Sequence, residues 1–126
     1  MKILIVDSNI VFAKKVGRFL KENLREVVVR YATNVPILRR RLSMEIYDYI
    51  IADVVSAFDS EGMTEALKST ETPTIVWAVL DASKDIYQTF CHRSLKQVIA
   101  KPNTERSIAE TVSSISSFML PAVGSR

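Results

Sequence analysis

The stretch Tyr-Ile-Ile-Ala-Asp at residues 49–53 decides the predicted fold, because an apolar run leads directly into a carboxylate. Two other short apolar runs end in comparable chemistry, one in Asp7 and the other in Lys101. The carboxyl ends of parallel strands meet at one edge of a sheet, and ligands bind at that edge. The sequence therefore predicts that Asp7, Asp53 and Lys101 converge on one pocket. Two carboxylates and one ammonium group there suit a divalent cation and a phosphoryl group.

Strands and helices alternate along the whole sequence, which predicts an α/β fold. Apolar and β-branched runs predict five strands, at about 2–6, 27–31, 47–52, 74–79 and 97–100. Helices are predicted after each strand: from a cap at residue 8 or 9, from a cap at 34 to about 44, near 63–68, over 84–93, and from 104 or 105 to 118. This order predicts a doubly wound, five-stranded parallel sheet, the (βα)5 flavodoxin-like arrangement, with right-handed crossovers and helices on both faces.

Length and composition bound the class of protein. The 126 residues predict one domain over residues 1–119, followed at 120–126 by a tail or the start of a linker. A net charge of +3 without a concentrated basic stripe argues against direct nucleic-acid binding. A single cysteine excludes an internal disulfide, and no apolar run is long enough to span a membrane, so a cytoplasmic location is expected.

Four short motifs, in order and at the right spacing, resemble one known family. They are Ile-Leu-Ile-Val-Asp at 3–7, Tyr-Ile-Ile-Ala-Asp at 49–53, Pro-Thr-Ile-Val at 73–76 and Ala-Lys-Pro at 100–102. The chain is similar to the receiver domains of bacterial response regulators, the CheY-like family. The resemblance implies a phosphoprotein of a two-component phosphorelay. Its partner would be a sensor histidine kinase or a phosphotransfer protein. It would not be an enzyme beyond self-catalysed phosphotransfer and dephosphorylation.

The resemblance also implies roles for individual residues. Asp53 would be the phosphoacceptor, a carboxylate nucleophile, and Lys101 would pair with the phosphoryl group as a fixed cation. Asp7 and Asp53 would hold Mg²⁺, together with the backbone carbonyl of Val55. The peptide bond between Lys101 and Pro102 is typically cis in the family, and cis bonds are almost always X-Pro bonds.

Three departures from the family's pattern make this an atypical receiver. Ser8 stands at the second acidic position, and a neutral hydroxyl is a weaker ligand for a hard dication, so weak Mg²⁺ binding is expected. Ala78 replaces the hydroxyl residue that normally bonds the phosphoryl group. Val98 replaces the aromatic residue that normally changes position on activation. Both parts of the usual switch are therefore degenerate, and we expect little movement on phosphorylation.

Alternative interpretations follow from these departures. The chain could be a phosphorylation-independent pseudo-receiver. It would then contact itself as a homodimer, or an effector protein, through the fourth predicted helix, the fifth strand and the last helix. Tyr87 on the fourth predicted helix is a candidate anchor there. Asp53 and Lys101 would in that case be a relic ion pair, and Asp7 a helix cap or a balance for Lys101. A small hydrolase using Asp53 as its nucleophile is a third hypothesis, although no separate general base is evident.

Overall fold

Five parallel strands form one sheet in the computed structural model, which describes residues 1–53, 60–78 and 95–119. The strands are β1 (Lys2–Val6), β2 (Val28–Ala32), β3 (Tyr49–Asp53), β4 (Thr74–Ala78) and β5 (Leu95–Ala100). The helices within those ranges are α1 (Ile10–Asn23), α2 (Val35–Met44), α3 (Ser60–Lys68) and α4 (Glu105–Met119). The helix predicted over 84–93 and the tail at 120–126 lie outside the described residues.

The strand order β2-β1-β3-β4-β5 confirms the predicted doubly wound sheet. β1 lies between β2 and β3, so the chain adds strands first on one side of β1 and then on the other. The three central strands are almost fully buried, as continuous apolar runs between two helical layers should be. In the described part of the chain, no helix is both long and apolar enough to cross a membrane.

The boundaries of β1 and α2 match the predictions, and those of the other strands, α3 and α4 differ by one to three residues. The third strand begins at Tyr49 rather than at 47, because its pairing with β1 starts at Tyr49, and Tyr47 lies before it with its hydroxyl donating to Glu45 Oε1 at 2.9 Å. The cap of α1 is Asn9, whose Oδ1 accepts the backbone N–H of Phe12 at 3.1 Å. The capping residue of α2 is Asn34, as the sequence predicted.

Two apolar layers cover the two faces of the sheet. One layer joins the sheet to α1 and α4, and its strand members include Ile3, Ile5, Ile51, Ile75 and Trp77. The other joins the sheet to α2 and α3, and its strand members include Leu4, Val6, Ile50, Ala52 and Val76. Successive side chains on a strand point to opposite faces, so on these strands the odd positions face α1 and α4 and the even positions face α2 and α3.

Gly17 lies buried in the middle of α1, where glycine normally costs about 1 kcal/mol relative to alanine. Its presence is explained by Tyr31 on β2. A Cβ atom at position 17 would overlap the Tyr31 hydroxyl oxygen and lie 3.1 Å from its Cζ. Burial also raises the pKa of the Tyr31 hydroxyl, as expected for a phenol withdrawn from water beneath this helix. The close approach of α1 to β2 therefore depends on this glycine.

We predict that Gly17→Ala destabilises the protein by about 1–3 kcal/mol, the usual cost of overpacking. Tyr31→Phe removes the atom that the new methyl group would overlap. In that background Gly17→Ala should cost less, or become favourable through its higher helix propensity. Urea unfolding of the four proteins of this double-mutant cycle measures the coupling. An equal cost of Gly17→Ala in both backgrounds would show that the Tyr31 hydroxyl is not the obstacle.

Candidate functional site

The alternation of the strands places three charged residues at one end of the α1 and α4 face. Asp53 ends β3 two positions after Ile51, and Asp7 follows β1 two positions after Ile5. Lys101 follows β5 two positions after Ile99, which packs against the same layer. The site is therefore the last row of the apolar layer, with charged residues in place of apolar ones.

Lys101 joins the two carboxylates. Its Nζ donates to Asp7 Oδ2 at 2.9 Å and to Asp53 Oδ2 at 2.6 Å. Both aspartates are buried, with Asp7 1% and Asp53 6% exposed. Charges removed from water are stable only when they are paired, so the shared ammonium group compensates both carboxylates. The predicted convergence of Asp7, Asp53 and Lys101 is thus present, whereas their chemical roles stay predictions.

The environment shifts the pKa values of two of these groups. Burial raises the pKa of the Asp7 carboxyl, and this effect exceeds the opposing effects of the Asn9 backbone N–H and Lys101. Burial alone would lower the pKa of Lys101, but its hydrogen bonds to Asp53 and Asp7 outweigh burial and raise it. Lys101 is therefore a firmly protonated cation, and Asp7 is a carboxylate kept charged against a desolvation cost.

Asp7 is also connected to the start of α1. Its Oδ1 accepts the backbone N–H of Asn9 at 2.8 Å, while Oδ2 accepts the proton of Lys101. Asn9 in turn caps the helix through Phe12. Asp7 therefore orders the chain between β1 and α1 as well as holding Lys101, whereas the cap of α1 itself is Asn9.

Two aromatic residues beside the charged group, Phe12 and Trp77, were missed by sequence reasoning. The Lys101 Nζ lies 4.5 Å from the centroid of the Phe12 ring, a cation–π distance. The Phe12 ring meets the Trp77 ring at a centroid distance of 6.1 Å and an angle of 78°, an edge-to-face arrangement. The sequence did hold a signal for Trp77. It occupies an odd position on β4, in register with Asp53, so strand alternation places it on the same face as the charged group.

The site offers oxygen ligands of the kind that Mg²⁺ prefers, but few of them. In residues 1–53, 60–78 and 95–119, no group of three or more His, Cys, Asp or Glu side chains is placed to hold a metal ion. One oxygen each of Asp7 and Asp53 converges on the Lys101 Nζ. Mg²⁺ is typically bound through one or two carboxylates plus water, so the two carboxylates fit a weak site. Ser8 is exposed, and Val55 lies outside the described residues.

The two predicted switch positions lie on β4 and β5, and one implied feature is wrong. Val98 is half-buried and packs against the apolar layer of α2 and α3, on the opposite face of the sheet from Trp77. Ala78 is the last residue of β4 and pairs with Ala100. The bond between Lys101 and Pro102 is trans, contrary to the implied cis form. Trans is the intrinsically preferred isomer even before proline.

Solved structures share this fold at low sequence identity. A response regulator from Hahella chejuensis is similar with a TM-score of 0.78, at 16% identity, over 99% of this chain and 98% of that one. The phosphorylated cyanobacterial phytochrome response regulator RcpA gives a TM-score of 0.74, at 17% identity, over 94% and 92% of the two chains. A Francisella response regulator receiver domain gives 0.68, at 16% identity, over 94% and 98%.

No family model matches the sequence, and no curated protein matches it significantly. The likeness is therefore one of fold. It confirms the receiver fold that the four sequence motifs implied, and it covers nearly the whole chain. The chemistry of this chain has to be argued from its own residues.

The raised pKa of Asp7 predicts how its removal changes stability with pH. A folded state that holds a proton more tightly than the unfolded chain is stabilised in acid, and this contribution is lost as the pH rises through the folded pKa. At neutral pH, without divalent cations, Asp7→Asn should therefore stabilise the fold, by about 0.5–2 kcal/mol, the range of a common stabilising substitution. The difference should vanish below the ordinary carboxyl pKa of 3.8.

Urea unfolding across this pH range measures the effect, with Glu65→Gln on exposed α3 surface as the control for loss of one negative charge. A less stable Asp7→Asn protein at neutral pH would show instead that the bond from Lys101 outweighs the desolvation of Asp7.

Proposed function

We propose that this protein is a receiver module of two-component signalling, in which Asp53 accepts a phosphoryl group from a sensor histidine kinase or a phosphotransfer protein. The observation that carries the proposal is the ammonium group of Lys101 bonded to both Asp7 and Asp53 at the carboxyl edge of a receiver fold. Parallel sheets bind ligands at this edge, so a phosphoryl ligand is expected beside this charged group.

The chain's own residues support the chemistry of such a transfer. An oxygen of the Asp53 carboxylate attacks phosphorus, an O–P bond forms, and the P–N bond of the donor's phosphohistidine breaks with its electron pair going to the imidazole. Lys101 sits within hydrogen-bond distance of Asp53 beforehand, so its positive charge is in place where negative charge accumulates. Burial excludes most water, which strengthens this attraction.

Mg²⁺ is the cofactor that we propose for the site, held by Asp7 and Asp53 and by the expected carbonyl of Val55. When bound, the metal would supply further positive charge to the phosphoryl oxygens. The single Lys101 cation and two carboxylates leave the site with one net negative charge when both acids are ionised. A dication is therefore attracted, but less strongly than by a site with a further acid at position 8.

A second candidate function is a phosphorylation-independent interaction module. It is favoured by the same ion group, because Lys101 compensates both carboxylates without any ligand. Its contact face would include β5, an edge strand of the sheet, and α4. Lys96, Gln97 and Phe118 are exposed there, while the candidate anchor Tyr87 lies outside the described residues. Measurement of phosphorylation separates the two functions.

Incubation with acetyl phosphate and Mg²⁺ should add one phosphoryl group to the protein, detected by intact mass spectrometry. Asp53→Asn should abolish the gain, because the amide is not a comparable nucleophile. Asp48→Asn, which changes an exposed aspartate five positions earlier, should retain it. No gain in the unaltered protein, or an equal gain in Asp53→Asn, would favour the phosphorylation-independent module.

Ser8→Asp should tighten Mg²⁺ binding, roughly tenfold or about 1.4 kcal/mol, because cation affinity follows the number of anionic ligands. Titration of Mg²⁺ against the emission of Trp77, the one tryptophan of the chain, measures both affinities. Ser43→Asp adds the same charge at an exposed position of α2 and should leave the Mg²⁺ affinity unchanged. Equal Mg²⁺ affinities in the unaltered protein and in the Ser8→Asp variant would show that position 8 does not reach the metal.

A further inference from the structure

Phe12 occupies a position between the charged group and the apolar layer. The Lys101 Nζ lies 4.5 Å from the centroid of the Phe12 ring, and the centroids of the Phe12 and Trp77 rings are 6.1 Å apart. Phe12 is 9% exposed, so its ring contacts these neighbours and almost no water. The ammonium therefore has three described contacts, namely Asp7, Asp53 and the face of this ring. Any displacement of the ammonium alters the third contact.

A phosphoryl group on Asp53 changes the balance of those contacts. It brings negative charge and oxygen acceptors that attract the ammonium more strongly than a single carboxylate oxygen does. The strength of the cation–π contact depends on the position of the cation over the ring. The Phe12 ring thus experiences a different force before and after phosphorylation.

Trp77 is the neighbour best placed to respond to a change at Phe12. Its side chain is fully buried, and its indole Nε1–H has no hydrogen-bond partner among the described residues. A buried donor without a partner destabilises the folded state, so a changed position of the Trp77 ring that gave this N–H a partner would be favoured. Trp77 is also in register with Asp53 and shares its apolar layer with Ile108 and Val112 of α4.

We propose that Phe12 is a positioning residue for Lys101, and that through Phe12 the phosphoryl state of Asp53 changes the packing of Trp77 between α1 and α4. The phosphoryl part of this inference rests on the proposed function. The signal would travel on the α1 and α4 face of the sheet. Val98, the degenerate switch position, packs on the opposite face. A ligand shifts a packing equilibrium only through contacts that differ between the two states, and the Lys101–Phe12 contact is one that differs.

The link from Lys101 to Trp77 can be tested without any phosphorylation. Lys101→Met removes the cation and keeps an unbranched side chain, and it should shift the emission of Trp77. In a Phe12→Leu background the same substitution should no longer shift the emission, because the connecting ring is absent. Phe12→Met, whose flexible unbranched side chain adapts to irregular space, serves as the second background in case Phe12→Leu packs poorly. An undiminished effect of Lys101→Met in the Phe12 backgrounds would overturn the role of Phe12.

Phe19 provides a matched control on the same helix. Its ring carries the Arg18 guanidinium at 4.7 Å, so Phe19→Leu also removes an aromatic ring from beneath a cation on α1. Phe19→Leu should leave the effect of Lys101→Met on Trp77 intact. Loss of the effect in both the Phe12 and the Phe19 backgrounds would identify a general loosening of α1, which contradicts a specific contact.

Phosphorylation supplies the second arm, with acetyl phosphate as the probe and intact mass as the independent measure of phosphate gain. On phosphorylation, the nuclear magnetic resonance signal of the Trp77 indole N–H should shift in the unaltered protein. In the phosphorylated Phe12→Met variant the signal should not shift. Phosphate gain with an unmoved indole signal overturns the inference and leaves the proposed function standing. Absence of phosphate gain overturns the proposed function and with it the phosphoryl part of the inference, while the Lys101→Met comparison still decides the role of Phe12.

Discussion

The structure depends on one shared cation. Two carboxylates, Asp7 and Asp53, lie buried at the ends of adjacent strands, where their mutual repulsion and their desolvation oppose folding. The ammonium group of Lys101, delivered by the segment after the edge strand β5, compensates both. Because the three residues are far apart in sequence, this contact forms only when β1, β3 and β5 are all in place. The two ion pairs of Lys101 are therefore present only in the correctly assembled sheet.

The same contact shows how a site can sit inside an apolar layer. Odd positions on β1 and β3, together with Ile99 on β5, contribute apolar side chains up to the last row, where Asp7, Asp53 and Lys101 take their place. Trp77 is the β4 member of the row beside Asp53. The charges consequently border on aromatic rings rather than on other polar groups, which keeps the local dielectric low and makes the position of each charge energetically important.

The sheet and the ion group could be predicted from sequence because both follow from simple periods. Apolar runs ending in Asp7, Asp53 and Lys101, together with strict alternation, place these residues on one edge and one face. Phe12 could not be assigned to the site, since its contact with Lys101 depends on where α1 lies over the sheet. The start of the third strand was also missed, because Tyr47 is buried and extends the apolar run although the backbone pairing with β1 begins only at Tyr49. The isomer before Pro102 was inferred from resemblance, and no feature of the local sequence fixes it.

The close approach of α1 to β2 has a consequence for tracing the ancestry of this chain. Gly17 and Tyr31 are fourteen positions apart and fill one volume between them, so neither can change independently without loss of packing. Proteins that descend from the same ancestor should vary at these two positions together, with a larger residue at one accompanied by a smaller residue at the other. At 16% identity to a solved response regulator, such a reciprocal pair would add evidence of shared descent that the number of identical residues alone does not give.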